Sequence, residues 1–154
     1  MTGFVSHFTN RLDAKGRVSI PASFRAVLTR DGFEGLYCFN SSNTPAVDAG
    51  GNMLLAEIKN MTEQLARLTP DHDMLAAALY GDSEILKIDG DGRIVLSEMI
   101  RNHCGLEDQV TFVGLDYKFQ IWEPEKYLAY RAEAQKRAQE ILAQLSNPSQ
   151  GRPV

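Results

Sequence analysis

Two five-residue segments hold the residue types and spacing that could do chemistry: "DAKGR" at 13–17 and "DGDGR" at 89–93. In each, an aspartate can accept from the backbone N–H two residues on, and a glycine supplies the positive φ that closes a tight turn. Each turn delivers an arginine, whose planar fork suits a phosphate or the edge of a guanine, and the first also carries Lys15, a compact point charge. A hairpin that lifts Lys15 and Arg17 clear of the body is a device for contacting a nucleic acid. The plainer reading is that Arg17 pairs with Asp13 across its own turn. Both can hold, because a paired Asp13 would orient Arg17 in advance.

The two segments belong to a longer repeat. Placing Asp13 over Asp89 matches Gly16 with Gly92, Arg17 with Arg93, Val18 with Ile94, Ile20 with Leu96 and Arg25 with Arg101. Each copy reads as an extended segment (3–12 and 83–88), the turn, a short strand ("RVSI", "RIVL"), a brief helix and a strand-like run ("GLYCFN", "QVTFVGL"). Pro21 and Ser97 mark the helix starts, and "RDGFEG" and "CGLEDQ" mark their ends. A unit this small cannot bury a core alone, so two copies should interleave into one small barrel.

Around the repeats, Leu54, Leu55, Ile58, Met61, Leu65 and Leu68 predict an amphipathic helix that Pro70 interrupts. The stretch 71–81 predicts a second short helix capped by Asp71, and 124–145 is rich in strong helix formers. "SSNTPAVDAGGN" (41–52) reads as a turn-rich loop, and the tail 146–154 as flexible.

The 154 residues carry a net charge of −4, which argues against a generic nucleic-acid binder. The sum conceals a polarity. Residues 1–30 hold five cations and one carboxylate, a local +4, so the other 124 sum to −8. A basic end on an acidic body suits a localised anion-binding face. No apolar window approaches the roughly 20 residues that span a bilayer, and the start of the chain lacks the pattern of an export signal. The expectation is a cytosolic protein with two reduced, buried thiols, Cys38 and Cys104.

Competing chemistries fit poorly. An EF-hand loop begun at Asp89 would place Arg93 at its fifth position and Ile100 at its twelfth, where oxygen ligands are needed. "DHD" (71–73) lacks a second histidine cluster at ligand spacing and reads as a helix cap, and His7 and His103 stand singly. No nucleophile elbow, P-loop or dinucleotide fingerprint occurs. An enzyme would need an enclosed pocket with convergent polar groups, and none of the motifs predicts one.

The paired motifs, each entering an arginine followed by alternating apolar residues, resemble the MraZ family of bacterial transcriptional regulators. "LDAKGRVSIPASFR", the interrupting helices, "GDSEILKIDGDGRIVL" and "FQIWEPEKY" stand in that family's order, over about residues 4–145. The resemblance implies an α+β fold: a two-repeat swapped-hairpin β-barrel of the AbrB type, with peripheral helices and a long C-terminal helix. Its parts would be a first repeat (1–50), connecting helices (51–81), a second repeat (82–127), the helix (124–145) and the tail (146–154). It also implies a ring of protomers binding repeated double-stranded promoter elements ahead of the cell-division and cell-wall genes, the protein's own promoter among them.

The family's DNA contacts map onto the two loops: Asp13, Lys15, Gly16 and Arg17, with Arg11 beside them, and Asp89 and Arg93. Catalysis, cofactor, metal, small-molecule substrate and membrane are not expected, and the protein would work in the cytoplasm at the nucleoid. The alternative is an AbrB-like assembly or partner-binding module, such as an antitoxin. Two departures stand out. "TPAVDAGGNM" replaces the family's usual first-half strand, which predicts a shortened or irregular strand there. Lys15 in the first motif corresponds to Asp91 in the second, so the loops should not meet a phosphate backbone equally.

Overall fold

The computed structural model describes residues 2–146. The chain divides into two compact units, Met1–Glu123 and Pro124–Val154. In the first unit, β1 (His7–Arg11), β2 (Arg17–Ser19), α1 (Ala22–Asp31), β3 (Leu36–Asn40) and β4 (Val47–Gly50) form the first half. Helices α2 (Asn52–Thr62) and α3 (Pro70–Ala76), the latter running on into a π-helical turn (Ala77–Gly81), link it to the second. That half holds β5 (Ser83–Leu86), β6 (Arg93–Val95), α4 (Glu98–Cys104), β7 (Gln109–Gly114) and β8 (Phe119–Trp122). The second unit contains α5 (Pro124–Leu145), built on alanine, glutamate, glutamine and lysine, which favour helix. No helix among the described residues is long and apolar enough to cross a membrane.

The two repeats exchange strands. An antiparallel six-stranded sheet runs β1-β7-β8-β4-β3-β5, and β2 pairs with β6 as a separate ribbon. The first strand of each repeat thus pairs with the third strand of the other, Phe8 opposite Phe112 and Tyr37 opposite Ile85. The middle strands meet each other, Val18 opposite Ile94. The outer hairpins join at β4–β8, with Asp48 opposite Gln120. Neither repeat completes its ladder alone, which is the interleaving that the repeat predicts.

The sheet is open, with β1 and β5 at its ends. The alternation in "RVSI" and "RIVL" turns Val18, Ile20, Ile94 and Leu96 into one core with Phe24, Phe112 and Phe119. Each such side chain removed from water contributes about 1.5–3 kcal/mol before chain entropy is set against it. Phe4 closes on this core edge-on, 5.3 Å from Phe24 and 5.0 Å from Phe119. Cys38 and Cys104 are buried thiols not joined in a disulfide, and burial pushes the Cys38 thiol up to about 12. Helices α1 and α4 both stop at left-handed glycines, Gly32 and Gly105, and Ser97 caps α4 by accepting from the Ile100 N–H at 3.3 Å.

Four sequence expectations are corrected. The stretch 41–52 is not wholly loop: Val47–Gly50 is β4, fully buried between β3 and β8. It has the same four-residue length as β8, so the first-half strand is not shortened. Its aspartate and glycine read as turn formers, but pairing on both edges overrides local preference.

The helix expected to reach Leu68 stops at Thr62. Thr69 precedes a proline and caps α3 in an extended conformation, and its Oγ1 accepts from the His72 N–H. A pre-proline N-cap must leave the helical region, so the chain unwinds first and leaves Leu68 at 96% exposure with φ 65°. The cap of α3 is therefore Thr69, while Asp71 and Asp73 lie in the first turn, where they favour the helix dipole. The tail from residue 147 on lies outside the described residues.

Candidate nucleic-acid interface

The two turns are built alike. The Asp13 N–H donates to the Arg17 carbonyl and the Gly16 N–H to the Asp13 carbonyl, both at 3.0 Å. Asp89 with Arg93, and Gly92 with Asp89, repeat the pattern at 2.9 and 3.0 Å. Gly16 and Gly92 take φ of 80° and 78°, a region costly for any residue with a side chain. The turns are locked to each other through the central ribbon: the Ile20 N–H donates to the Gly92 carbonyl and the Leu96 N–H to the Gly16 carbonyl.

Inside each turn one carboxylate does three jobs. Asp13 Oδ1 accepts from the N–H groups of Lys15 and Arg17, each at 2.9 Å, and Oδ2 accepts from Arg17 Nε at 2.8 Å. Asp89 Oδ1 accepts from the N–H groups of Asp91 and Arg93, and Oδ2 from Arg93 Nε at 3.1 Å. The backbone N–H of Arg17, followed by its side chain, holds the Asp13 carboxyl below the ordinary aspartate value. The backbone N–H of Arg93 does the same for Asp89. Both aspartates are therefore ionised clamps that fix an arginine by its Nε edge.

The clamp leaves the far end of the first arginine available. Arg17 is half-exposed, and among the described residues its terminal nitrogens have no partner. Lys15 beside it is exposed, as is Arg11 at the end of β1. The second loop differs. Arg93 Nη2 is paired with Asp91 Oδ2 at 3.3 Å, so this guanidinium is held from two sides by carboxylates. The structure thus brings Asp13, Lys15, Gly16 and Arg17 into one turn and Asp89 and Arg93 into its twin.

Two residues absent from that set also reach the loops, each from the opposite repeat. Arg25, on α1, lies against the second loop: its Nη1 donates to the Asp91 carbonyl at 3.4 Å, and a Cβ on Gly92 would collide with its Cδ and Nη1. Arg101, on α4, lies against the first loop, its Nε and Cζ 3.5 and 3.6 Å from where a Gly16 Cβ would stand. The signal was present in the repeat, which matches Arg25 with Arg101. What the repeat could not tell is that the strand exchange carries each arginine to the other copy's turn.

The sequence also matches known proteins. A family model described as "MraZ protein, putative antitoxin-like" matches residues 79–145. The chain is 54% identical to a protein of Beijerinckia indica named Transcriptional regulator MraZ, over 100% of this chain and 92% of that one. It is 51% identical to the protein of that name from Methylocella silvestris, over 95% of this chain and 89% of the relative. With the one from Xanthobacter autotrophicus it shares 55% identity over 92% of this chain and 90% of the relative. Full-length identity at this level, on a chain whose two repeats exchange strands around twin aspartate-clamped turns, means that the chain belongs to the MraZ family of transcriptional regulators.

Proposed function

We propose that the chain binds double-stranded DNA in a sequence-specific way through the DxxxR loops, with Arg17, Lys15, Gly16 and Arg11 supplying the main contact, Asp13 orienting Arg17, and Arg93 with Asp89 the lesser one. The observation that carries this reading is the Asp13 clamp. It spends the Nε edge of Arg17 on positioning and keeps the two terminal nitrogens for a ligand. A fork fixed in this way loses little freedom on meeting a guanine edge or a phosphate pair. The relatives' name, Transcriptional regulator, fits a protein that works on DNA. A regulator of this kind acts in the cytoplasm at the nucleoid and needs no catalytic step.

One loop with two or three cations binds weakly, so several must act together. Linked loops raise the effective concentration of each after the first has bound. The open edges at β1 and β5, and the exposed Val5 and Ile85 near them, are surfaces that a ring of protomers would cover. Repeated promoter elements, those of the division and cell-wall genes including the protein's own, are the matching ligand. The test is a binding titration on a duplex carrying the protein's own upstream region, beside a scrambled duplex of equal length. Preferential binding to the upstream duplex supports the reading; no binding to either overturns it.

A further inference from the structure

Every arginine that contacts the two loops can be asked the same question: which acceptor does its guanidinium already have? Arg17 has Asp13, and Arg93 has Asp89 and Asp91. Arg25 donates to the Asp91 carbonyl. Arg101 differs. Among the described residues its guanidinium has no hydrogen bond or ion pair, and its Nε is sealed from solvent without a partner. It lies beside Gly16 of the first loop, where a Cβ would stand 3.5 Å from its Nε and 3.0 Å from the Leu96 carbonyl.

A partly buried cation without a counterion is an unusual thing to keep in a fold, because desolvation is then uncompensated. It is held against the glycine that lies between Lys15 and Arg17, two of the cations of the proposed contact. The pseudo-symmetric Arg25 has no such freedom: it bonds a loop carbonyl and faces a loop that carries Asp91. The two arginines match in sequence and differ in what the fold leaves them to do.

We infer that Arg101 is a further DNA-binding residue: the second repeat lends its guanidinium to the first loop, where its solvent-facing terminal nitrogens take a phosphate oxygen of the bound duplex. The inference rests on the DNA-binding reading above and adds to it a phosphate contact made across the repeats. The first loop then acts with three cations, Lys15, Arg17 and Arg101, and the exchange of strands is what assembles them. The bound phosphate supplies the counterion that the fold omits.

The test uses the full chain and the upstream duplex, titrated at several salt concentrations. Each neutralised phosphate contributes about −0.9 to the log–log salt slope. Arg101→Gln and Arg101→Met, both uncharged and long enough to keep some packing on Gly16, should each make the slope shallower by about 0.9 per engaged protomer. Arg101→Lys should keep the wild-type slope, and Arg25→Gln should leave it nearly unchanged. Thermal melting of each variant reports folding separately. A wild-type slope in a folded Arg101→Gln or Arg101→Met overturns the inference while leaving the DNA-binding reading intact. Failure of both uncharged variants to fold also overturns it, by making Arg101 a structural residue. Failure of the wild-type chain to bind DNA is the distinct outcome that removes the reading beneath it.

Discussion

Asp91 Oδ2 lies 3.3 Å from Arg93 Nη2, a carboxylate contact for which Arg17 has no equivalent, because Lys15 stands at the matching position of the first loop. The two turns share their backbone hydrogen bonds and their aspartate clamp, so within the turns themselves the difference is one of charge. Residues 11–17 sum to +2 and residues 87–93 to zero. A duplex approaching the first loop meets an arginine with free terminal nitrogens and a lysine. At the second it meets an arginine already shared between two acids.

The loops should therefore contribute unequally. Arg17→Ala should weaken binding to the upstream duplex by at least about fivefold more than Arg93→Ala, a difference of about 1 kcal/mol. Asp91→Lys should tighten binding to specific and scrambled duplexes alike, since it acts on backbone phosphates. Equal losses from the two arginine variants, measured by fluorescence anisotropy, would contradict the charge argument.

The clamps carry a pH signature. Asp13 and Asp89 both lie below the ordinary aspartate value of 3.8 in the folded chain. A depressed carboxylate stabilises the fold above its unfolded value, and that contribution is lost as pH falls through the folded value. The turns should thus stay clamped at neutral and mildly acid pH and open only below the usual aspartate range. Carboxyl carbon NMR titration should place both midpoints under 3.8. Asp13→Asn should retain the fold, lose its share of the acid transition and weaken DNA binding through a less ordered Arg17. Midpoints at or above the ordinary value would mean that the clamps are not formed.

Stability should concentrate at the seam between the outer hairpins. Asp48 is buried there, accepting from Gln120 Nε2 at 2.8 Å and pairing with Lys118 Nζ at 3.3 Å. Gln120 Oε1 in turn accepts from Trp122 Nε1 at 2.9 Å. Removing one member strands the others, a loss of about 3 kcal/mol for buried charge networks. Asp48→Ala should lower unfolding free energy by about that amount in urea, whereas Asp71→Ala, on an exposed first turn, should change it little. A near-neutral Asp48→Ala would mean that water satisfies the network.

Assembly gives a coarser check. A ring predicts a particle several-fold heavier than the 17.1 kDa chain by light scattering. A monodisperse monomer would remove the multivalent mechanism, and a dimer would favour the antitoxin-like alternative.

What could be read before the structure was whatever is local. The Asp13–Arg17 turn, the Ser97 cap and the Gly32 and Gly105 stops each need only residues a few positions apart, so composition and spacing reveal them. The exchange of strands was legible only as a repeat too small to fold alone. Contacts made at a distance were not. Val47–Gly50 looks like a turn until β3 and β8 flank it. The start of α2 is capped from another helix, Asp31 accepting from the N–H groups of Asn52 and Met53 at 2.6 and 3.0 Å. Leu65 and Leu68 continue a helical period that Thr69 and Pro70 cut short. Arg25 and Arg101 were visible as a matched pair, but only the folded topology crosses them.

The central claim is that the first loop meets the phosphate backbone, and the salt dependence of binding tests it most directly. The wild-type chain and Arg17→Ala would be titrated on the upstream duplex from low to physiological salt. With about six phosphates engaged, the wild type should show a log–log slope near −5, and the variant a shallower one by about 0.9 per engaged loop. A flat response for the wild type, or the same steep slope for both proteins, would contradict it.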